Sequence, residues 1–353
     1  MKLEDVDKNF KLETVKEEDV VWYDIENAPF SVHGIFYDET EEQYLRLPRE
    51  VAQTVNDGVN VLANHTAGGR VRFITDSPYI ALRAVAPKGW AMNHMPLTGS
   101  HGFTLFVDSC FQGIYAPQYD ENAKENIAFE GIRYLNSYAL CNAEISFPLY
   151  NGVKKVFIGL KKGSSVQPPK AYRYPKSVLF YGSSITQGGC ASRAGNDYIS
   201  VLSRMLDFDY INFGFSGSAR GEKEMIEHII KQDVSVFVID YDHNAPTPEH
   251  LRNTHLPLYE AIRKAHKDAP ILFISHPDDF LSNADERHGI VKNTYLTAKK
   301  RGDKKVAFID GRTLFGKVNR DGCTVDGTHP NDLGFYRMAK TVAPILKKLL
   351  KKL

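Results

Sequence analysis

A serine sits in the middle of Tyr181-Gly182-Ser183-Ser184-Ile185-Thr186-Gln187-Gly188, directly after the apolar run Val178-Leu179-Phe180 and ahead of a segment with helical spacing. A hydroxyl on a glycine-flanked turn between strand and helix is exposed where α/β folds gather their chemistry, which makes Ser184 a candidate nucleophile. The same turn has a second reading. Backbone N–H groups at the start of a helix attract anions, so Ser183, Ser184 and Thr186 are equally suited to hold a phosphate, as in a non-enzymatic flavodoxin-like binder. The choice between them rests on partners elsewhere in the chain.

An unassisted serine hydroxyl is a poor nucleophile. Acyl transfer needs a base within hydrogen-bond reach and a third group that holds the base in one tautomer. Asp326-Gly327-Thr328-His329-Pro330-Asn331 offers both, with Asp326 spaced to accept from one nitrogen of His329 while the other faces a serine. The alternative is that Asp326 and His329 only cap the last helix. Acyl transfer also builds negative charge on the former carbonyl oxygen and needs donors aimed there. Gly217, in Asn212-Phe213-Gly214-Phe215-Ser216-Gly217, and Asn244, in Ile239-Asp240-Tyr241-Asp242-His243-Asn244, end two further strand-like segments and are candidate donors. Each has an ordinary explanation as a turn residue. Cys190 lies close to Ser184 but has no local activating feature. A metal-dependent deacetylase built on Asp240, Asp242, His243 and His329 is a further class, with neither H-E-x-x-H nor a ligand spacing to recommend it.

The elements that must position these residues fall into two halves. A chain of 353 residues is long for one domain, and 42% apolar content suffices for two cores. Up to about residue 160 the pattern is short and alternating: Phe103, Leu105 and Val107 share one face, as do Ile145, Phe147 and Leu149, which predicts an all-β sandwich with few helices. Residues 161–176, with Lys161-Lys162-Gly163-Ser164-Ser165, Pro168-Pro169 and Pro175, have linker composition. Beyond them, strands over 178–181, 210–213, 234–239, 271–275 and 306–310 alternate with amphipathic segments. Tyr198, Val201, Leu202, Met205 and Leu206 follow a cap at Asn196 or Asp197; Met225, Ile226, Ile229 and Ile230 repeat the spacing. Continuous apolar strands imply burial on both faces, hence a five-stranded parallel sheet between helices, with candidate site residues on loops at one rim.

Charge excludes some partners. Lys plus Arg (44) balances Asp plus Glu (43), which gives no field to draw nucleic acid or an anionic membrane. No apolar run approaches the ~20 residues that span a bilayer. The charged opening Met1-Lys2-Leu3-Glu4-Asp5 is unlike a signal peptide, and the four cysteines, Cys110, Cys141, Cys190 and Cys323, form no C-x-x-C pair, so a reduced, cytoplasmic protein is expected. The last helix, expected over 333–353, ends in Lys347, Lys348, Lys351 and Lys352, which suit a helix C-terminus. A single short helix of this kind would anchor a membrane only weakly. The oligomeric state is not set by the sequence.

The blocks Gly182-Ser183-Ser184-Ile185-Thr186, Gly217, Asn244 and Asp326-Gly327-Thr328-His329 resemble, in order and location, the four signature blocks of the SGNH or GDSL-like hydrolases. The resemblance implies a flavodoxin-like α/β/α domain over 177–353, a triad of Ser184, His329 and Asp326, and an oxyanion hole made by the Ser184 and Gly217 N–H groups with the Asn244 side chain. It implies neither a metal nor an organic cofactor. Thr186 stands where a G-x-S-x-G elbow would have its second glycine. Two positions depart from the family: Ser183 replaces the usual acidic residue before the nucleophile, and His243 the glycine that commonly precedes the asparagine. His243 thereby becomes a spare imidazole, able to bind substrate or to compete with His329 as base.

Residues 99–108, Gly99-Ser100-His101-Gly102-Phe103-Thr104-Leu105-Phe106-Val107-Asp108, are similar to a segment of two-domain bacterial members with an amino-terminal jelly roll, some grouped with carbohydrate acetylesterases. This implies removal of O-acetyl groups from plant hemicellulose oligosaccharides, acetylated β-mannan ahead of xylan, with lysophospholipase or thioesterase action as the alternative within the family. The loop 88–96, with Trp90 and His94, is expected either to face the sugar or to plug the sandwich edge. Arg193 and Glu222, close to the blocks in sequence, are explained equally by an exposed ion pair.

Overall fold

The computed structural model describes residues 14–118, 122, 125–135, 139–277 and 283–351; the opening Met1–Asp5 segment, Lys352 and Leu353 lie outside the described residues. Eight strands of the first half are shared between two antiparallel sheets: Val20–Asp24, Arg70–Thr75, Tyr79–Pro87, Phe103–Val107, Cys110–Tyr115, Asn126–Tyr134, Cys141–Ser146 and Lys155–Lys161. Counted in chain order they lie 1-8-3-6 in one sheet and 2-7-4-5 in the other, the double Greek key of a jelly roll. Period-2 alternation makes this a sandwich, because Val71, Phe73, Phe103, Leu105 and Ile145 of one sheet meet Ile80, Leu82, Val156 and Ile158 of the other in one core.

The second half is the parallel sheet. Its strands, Tyr174–Gly182, Phe208–Gly214, Val236–Asp240, Ile271–Ile274 and Val306–Ile309, lie in the order 2-1-3-4-5, as in flavodoxin-like folds. Alternate side chains of each strand feed opposite layers. Val178, Phe180, Val236 and Val238 pack with the helices Tyr198–Leu206 and Asp332–Leu350. Leu179, Tyr181, Phe237 and Ile239 pack with Lys223–Ile229, Pro248–Ala265 and Ala284–Lys300. Burial on both faces is why these strands read as continuous apolar runs. Asp197 caps the first of these helices through the Ser200 N–H at 2.9 Å. Asn331 caps the last through Gly334, so Asp326 and His329 are not its cap.

Two features of the junction differ from expectation. Leu47, Ala52, Val59 and Ala63, on and beside the short helices Arg49–Val55 and Asp57–Leu62, are buried in the second layer of the parallel sheet, so the first half supplies part of the other half's core. The stretch 161–176, linker-like in composition, is fastened along the sandwich: Val166–Gln167 pairs with Ile74 and Thr75, and the Arg72 guanidinium stacks 3.8 Å over the Tyr172 ring. Arg70, fully buried, pairs with Asp209 of the second parallel strand and stacks 3.7 Å over Tyr210. Among the described residues, no helix is long and apolar enough to cross a membrane.

Candidate active site

The nucleophile turn is built from close contacts that only small residues permit. A side chain on Gly182, at the end of the first parallel strand, would meet the Thr186 hydroxyl at 2.0 Å and the Asp240 carbonyl at 2.5 Å, so the turn folds directly back against the strand. Ser184 opens the one-turn helix Ser184–Gln187, and Ser183 caps it, its hydroxyl accepting from the Ile185 N–H at 3.2 Å. Capping is what the Ser183 hydroxyl supplies to this turn. Ser184 is 5% exposed.

The base arrives from the opposite end of the chain. Thr324 and Pro330 form an antiparallel bridge, and Asp326 folds the turn between them by accepting the N–H groups of Thr328 (3.0 Å) and His329 (2.7 Å) on one oxygen. Its other oxygen takes the His329 Nδ1–H at 2.7 Å, and His329 Nε2 faces Ser184 Oγ at 2.9 Å. Desolvation pushes the Asp326 carboxyl up, but the backbone and ring N–H groups it accepts outweigh this and hold it down at about 2. An ionised carboxylate, an oriented imidazole and a hydroxyl thus form one hydrogen-bonded chain.

Asn244 lies on the turn Asp242–Asn244 and donates one amide N–H to the Phe215 carbonyl at 2.9 Å, which ties it to the loop that carries Gly217. That loop is also tied to the nucleophile helix, because Gln187 Oε1 accepts from the Ser216 N–H at 3.0 Å. Gly217 adopts φ +66 with open space where a side chain would stand. Among the described residues, the Ser184 and Gly217 N–H groups donate to no protein acceptor, so both remain available to a substrate oxygen.

Sequence reasoning missed the groups that brace this arrangement. Gln187 also donates to the Leu149 carbonyl at 3.1 Å and to His65 Nδ1 at 3.2 Å, and the Tyr150 hydroxyl donates to the Ser184 carbonyl at 3.2 Å. All three partners belong to the first half. Burial, then the nearby Arg46 charge, hold His65 down at about 3, which keeps its ring neutral and able to accept. Asp240 accepts from Thr186 (3.1 Å) and Tyr198 (3.0 Å). Burial, then the charge of Asp242, push its carboxyl up to about 8, so it is protonated at neutral pH.

Other candidates fall in different places. His94 is exposed and its ring meets that of His329 edge-on at 5.6 Å; Trp90, on the same loop, is 81% exposed and plugs nothing. His243 lies edge-on to His276 at 6.0 Å, Asp242 bonds His276 at 2.7 Å, and the Asp326 carboxylate anchors His329. Arg193 stacks 4.1 Å over Phe111, while Glu222 accepts from Asn56 at 2.6 Å. They are not an ion pair with each other. Burial, then the Asp326 charge, push the Cys190 thiol up to about 12, which removes it as a nucleophile. The three hydroxyls of the phosphate reading are separately engaged, with the Ser183 cap, the Ser184–His329 bond and the Thr186–Asp240 bond. Among the described residues, Asp240, Asp242, His243 and His329 do not gather as a ligand set.

Residues 175–347 match the GDSL-like lipase/acylhydrolase family, and residues 20–166 match the N-terminus of SGNH-hydrolase-type esterases. A protein from Bacteroides ovatus assigned to the GDSL-like lipases is similar in structure, with TM-score 0.82 at 25% identity over 94% of this chain and 98% of its own. A salicylyl-acyltransferase from a tetracycline biosynthetic pathway is similar at TM-score 0.76 and 17% identity, over 95% of this chain and 98% of its own. A family two carbohydrate esterase from Clostridium thermocellum, in complex with cellohexaose, is similar at TM-score 0.64 and 14% identity, over 92% and 100%. These last two likenesses concern the fold alone. No curated protein matches the sequence.

Proposed function

The chain is an SGNH/GDSL-like hydrolase with an N-terminal β domain, and we propose that it is a serine carbohydrate esterase that removes O-acetyl groups from plant hemicellulose oligosaccharides, acetylated β-mannan first and xylan next. The observation that carries the reading is the continuous chain from Ser184 Oγ through His329 to Asp326, at 2.9 and 2.7 Å.

In this mechanism Ser184 Oγ attacks the acetyl carbonyl as His329 Nε2 takes its proton, and the Asp326 carboxylate stabilises the imidazolium through Nδ1–H. The charge that develops on the carbonyl oxygen meets the Ser184 and Gly217 N–H groups and the second amide N–H of Asn244. Collapse of the tetrahedral intermediate breaks the ester C–O bond, and His329 returns the proton to the departing sugar hydroxyl. Water then repeats the sequence on the acetyl-serine and releases acetate.

The sugar preference is supported by an exposed indole, Trp90, on the loop that brings His94 against the base, since sugar sites pair aromatic area with a few placed polar groups. It is also in keeping with the fold shared with the cellohexaose-bound esterase. Lysophospholipase or thioesterase action would use the same triad on another leaving group.

Mass spectrometry of acetylated manno- and xylo-oligosaccharides should show stepwise loss of acetyl groups with the wild-type protein and none with Ser184→Ala. Retained deacetylation by that variant, provided it is folded, would overturn the mechanism; a wild type that hydrolyses acyl esters but leaves both sugars intact would overturn the substrate assignment.

A further inference from the structure

We propose that the mouth of the site is also a binding site for a soft or borderline divalent cation, zinc above all, held by His94, Cys190 and His329, and that an ion seated there switches the hydrolase off. One donor atom from each of these residues lies within 4.8 Å of the other two. The three come from separate elements: the loop 88–96 of the sandwich, the turn that follows the nucleophile helix, and the Asp326–His329 turn.

Two imidazoles and a thiolate are the ligand types that zinc prefers, with bonds of ~2.0–2.1 Å to nitrogen and ~2.3 Å to sulfur. A tetrahedral centre with such bonds wants its donors roughly 3.3–3.8 Å apart, so a donor pair at the 4.8 Å limit has to close by about 1 Å. His94 is exposed, and a swing of its ring supplies that movement while the buried Cys190, 4% exposed, stays in place. His329 is already prepared as a ligand. Its Nδ1–H is given to Asp326 at 2.7 Å, which leaves the lone pair on Nε2, and a carboxylate behind a metal-bound imidazole is the usual way such a ring is oriented. On binding, the Cys190 thiol gives up its proton to solvent, the sulfur and both imidazole nitrogens bond the ion, and water takes the fourth position.

Inhibition follows from the choice of lone pair. His329 Nε2 is the atom that faces Ser184 Oγ, and a nitrogen bonded to a cation cannot accept the serine proton. The ion therefore takes the lone pair that Ser184 Oγ now faces, so the serine side chain has to turn aside and loses its base. This part rests on the esterase reading, whereas binding of the ion does not.

Cobalt(II) makes the binding visible, since a thiolate ligand gives a sulfur-to-metal charge-transfer band and a tetrahedral site gives intense visible bands. With the Ser184→Ala protein, which needs no activity for this readout, both are expected, and zinc should erase them. Cys190→Ala should lose the charge-transfer band, and His94→Ala, at an exposed position that cannot unfold the chain, should weaken zinc binding at least tenfold. In the active protein, zinc should abolish hydrolysis and a chelator restore it. With rates normalised to each variant's metal-free activity, Cys190→Ala should need at least tenfold more zinc. No thiolate band, or zinc sensitivity unchanged in both variants, overturns the proposal. A band with hydrolysis untouched leaves the ion site standing and overturns the switch, together with the assignment of His329 as base.

Discussion

Asn244 has one amide N–H on the Phe215 carbonyl and one to spare, which makes its contribution separable from folding. Phe215 O also accepts from the Ser218 and Ala219 N–H groups at 2.9 and 3.1 Å, so Asn244→Ala leaves that carbonyl satisfied. The variant should lose ~10²–10³ in kcat with an unchanged melting temperature; a loss under tenfold would make Asn244 a turn residue only. Asp240 makes a pH prediction. Its folded value near 8 lies above the ~3.9 of an unfolded aspartate, so the native state keeps a proton that the unfolded chain releases, and stability falls as pH rises from about 4 to 8. Asn cannot release one. Asp240→Asn should match wild type in urea below pH 4 and gain on it toward pH 8, and an equal gap at both ends would show the carboxyl to titrate in the folded protein as it does in the unfolded chain. Ser184, Asp326 and His329 were legible in sequence because a strand-turn-helix serine and a D-x-x-H turn carry their partners with them. His94 was singled out only as a sugar-facing candidate; its approach to His329 is made by packing between halves and leaves no spacing to read.

At the scale of elements, the nucleophile helix is too short to hold itself and is positioned by what its last residue grips. Gln187, fully buried, links the oxyanion loop at Ser216 to Leu149 and His65 of the sandwich. Gln187→Ala leaves these buried groups short of partners, which costs about 1–3 kcal/mol of stability. Because it also loosens Ser184 relative to Gly217, kcat should drop on the order of 10²-fold with KM little changed. Normal kcat in a destabilised variant would confine Gln187 to a structural role. The parallel strands were found by their apolar runs to within a few residues, since burial on both faces marks each one. The helices Arg49–Val55 and Asp57–Leu62 were not found. Asn56-Asp57-Gly58, where the second helix begins, has turn composition, and in each helix a single residue, Ala52 or Val59, is fully buried, too few for a period to emerge.

For the whole molecule, the question is what joins the halves. The Arg70 guanidinium crosses from sandwich to sheet. Burial pushes the Asp209 carboxyl up, but the Arg70 charge outweighs this and holds it well below the usual carboxylate range, so the pair stabilises the fold above about pH 4 and stops doing so in acid. Arg70→Met strands Asp209 in a largely buried site and should destabilise the protein by about 3–5 kcal/mol at pH 7; a shift below 1 kcal/mol in chemical denaturation would mean that water reaches the pair. The junction was hard to read from composition, because Lys, Ser and Pro in 161–176 look the same whether a segment floats or is fastened, and only the partners Arg72 and Tyr172 decide it. The burial of Ala52, Val59 and Ala63 beneath the later sheet also bears on how the protein is made. These side chains leave the ribosome about 200 residues ahead of Leu258 and Ile262, with which they share a core. At synthesis rates of about 5–20 residues per second, that is a wait on the order of 10–40 s. During this interval the nascent chain carries an uncovered greasy patch, so holdase chaperones should engage it early, and a truncated message should yield an aggregating fragment instead of a free-standing jelly roll.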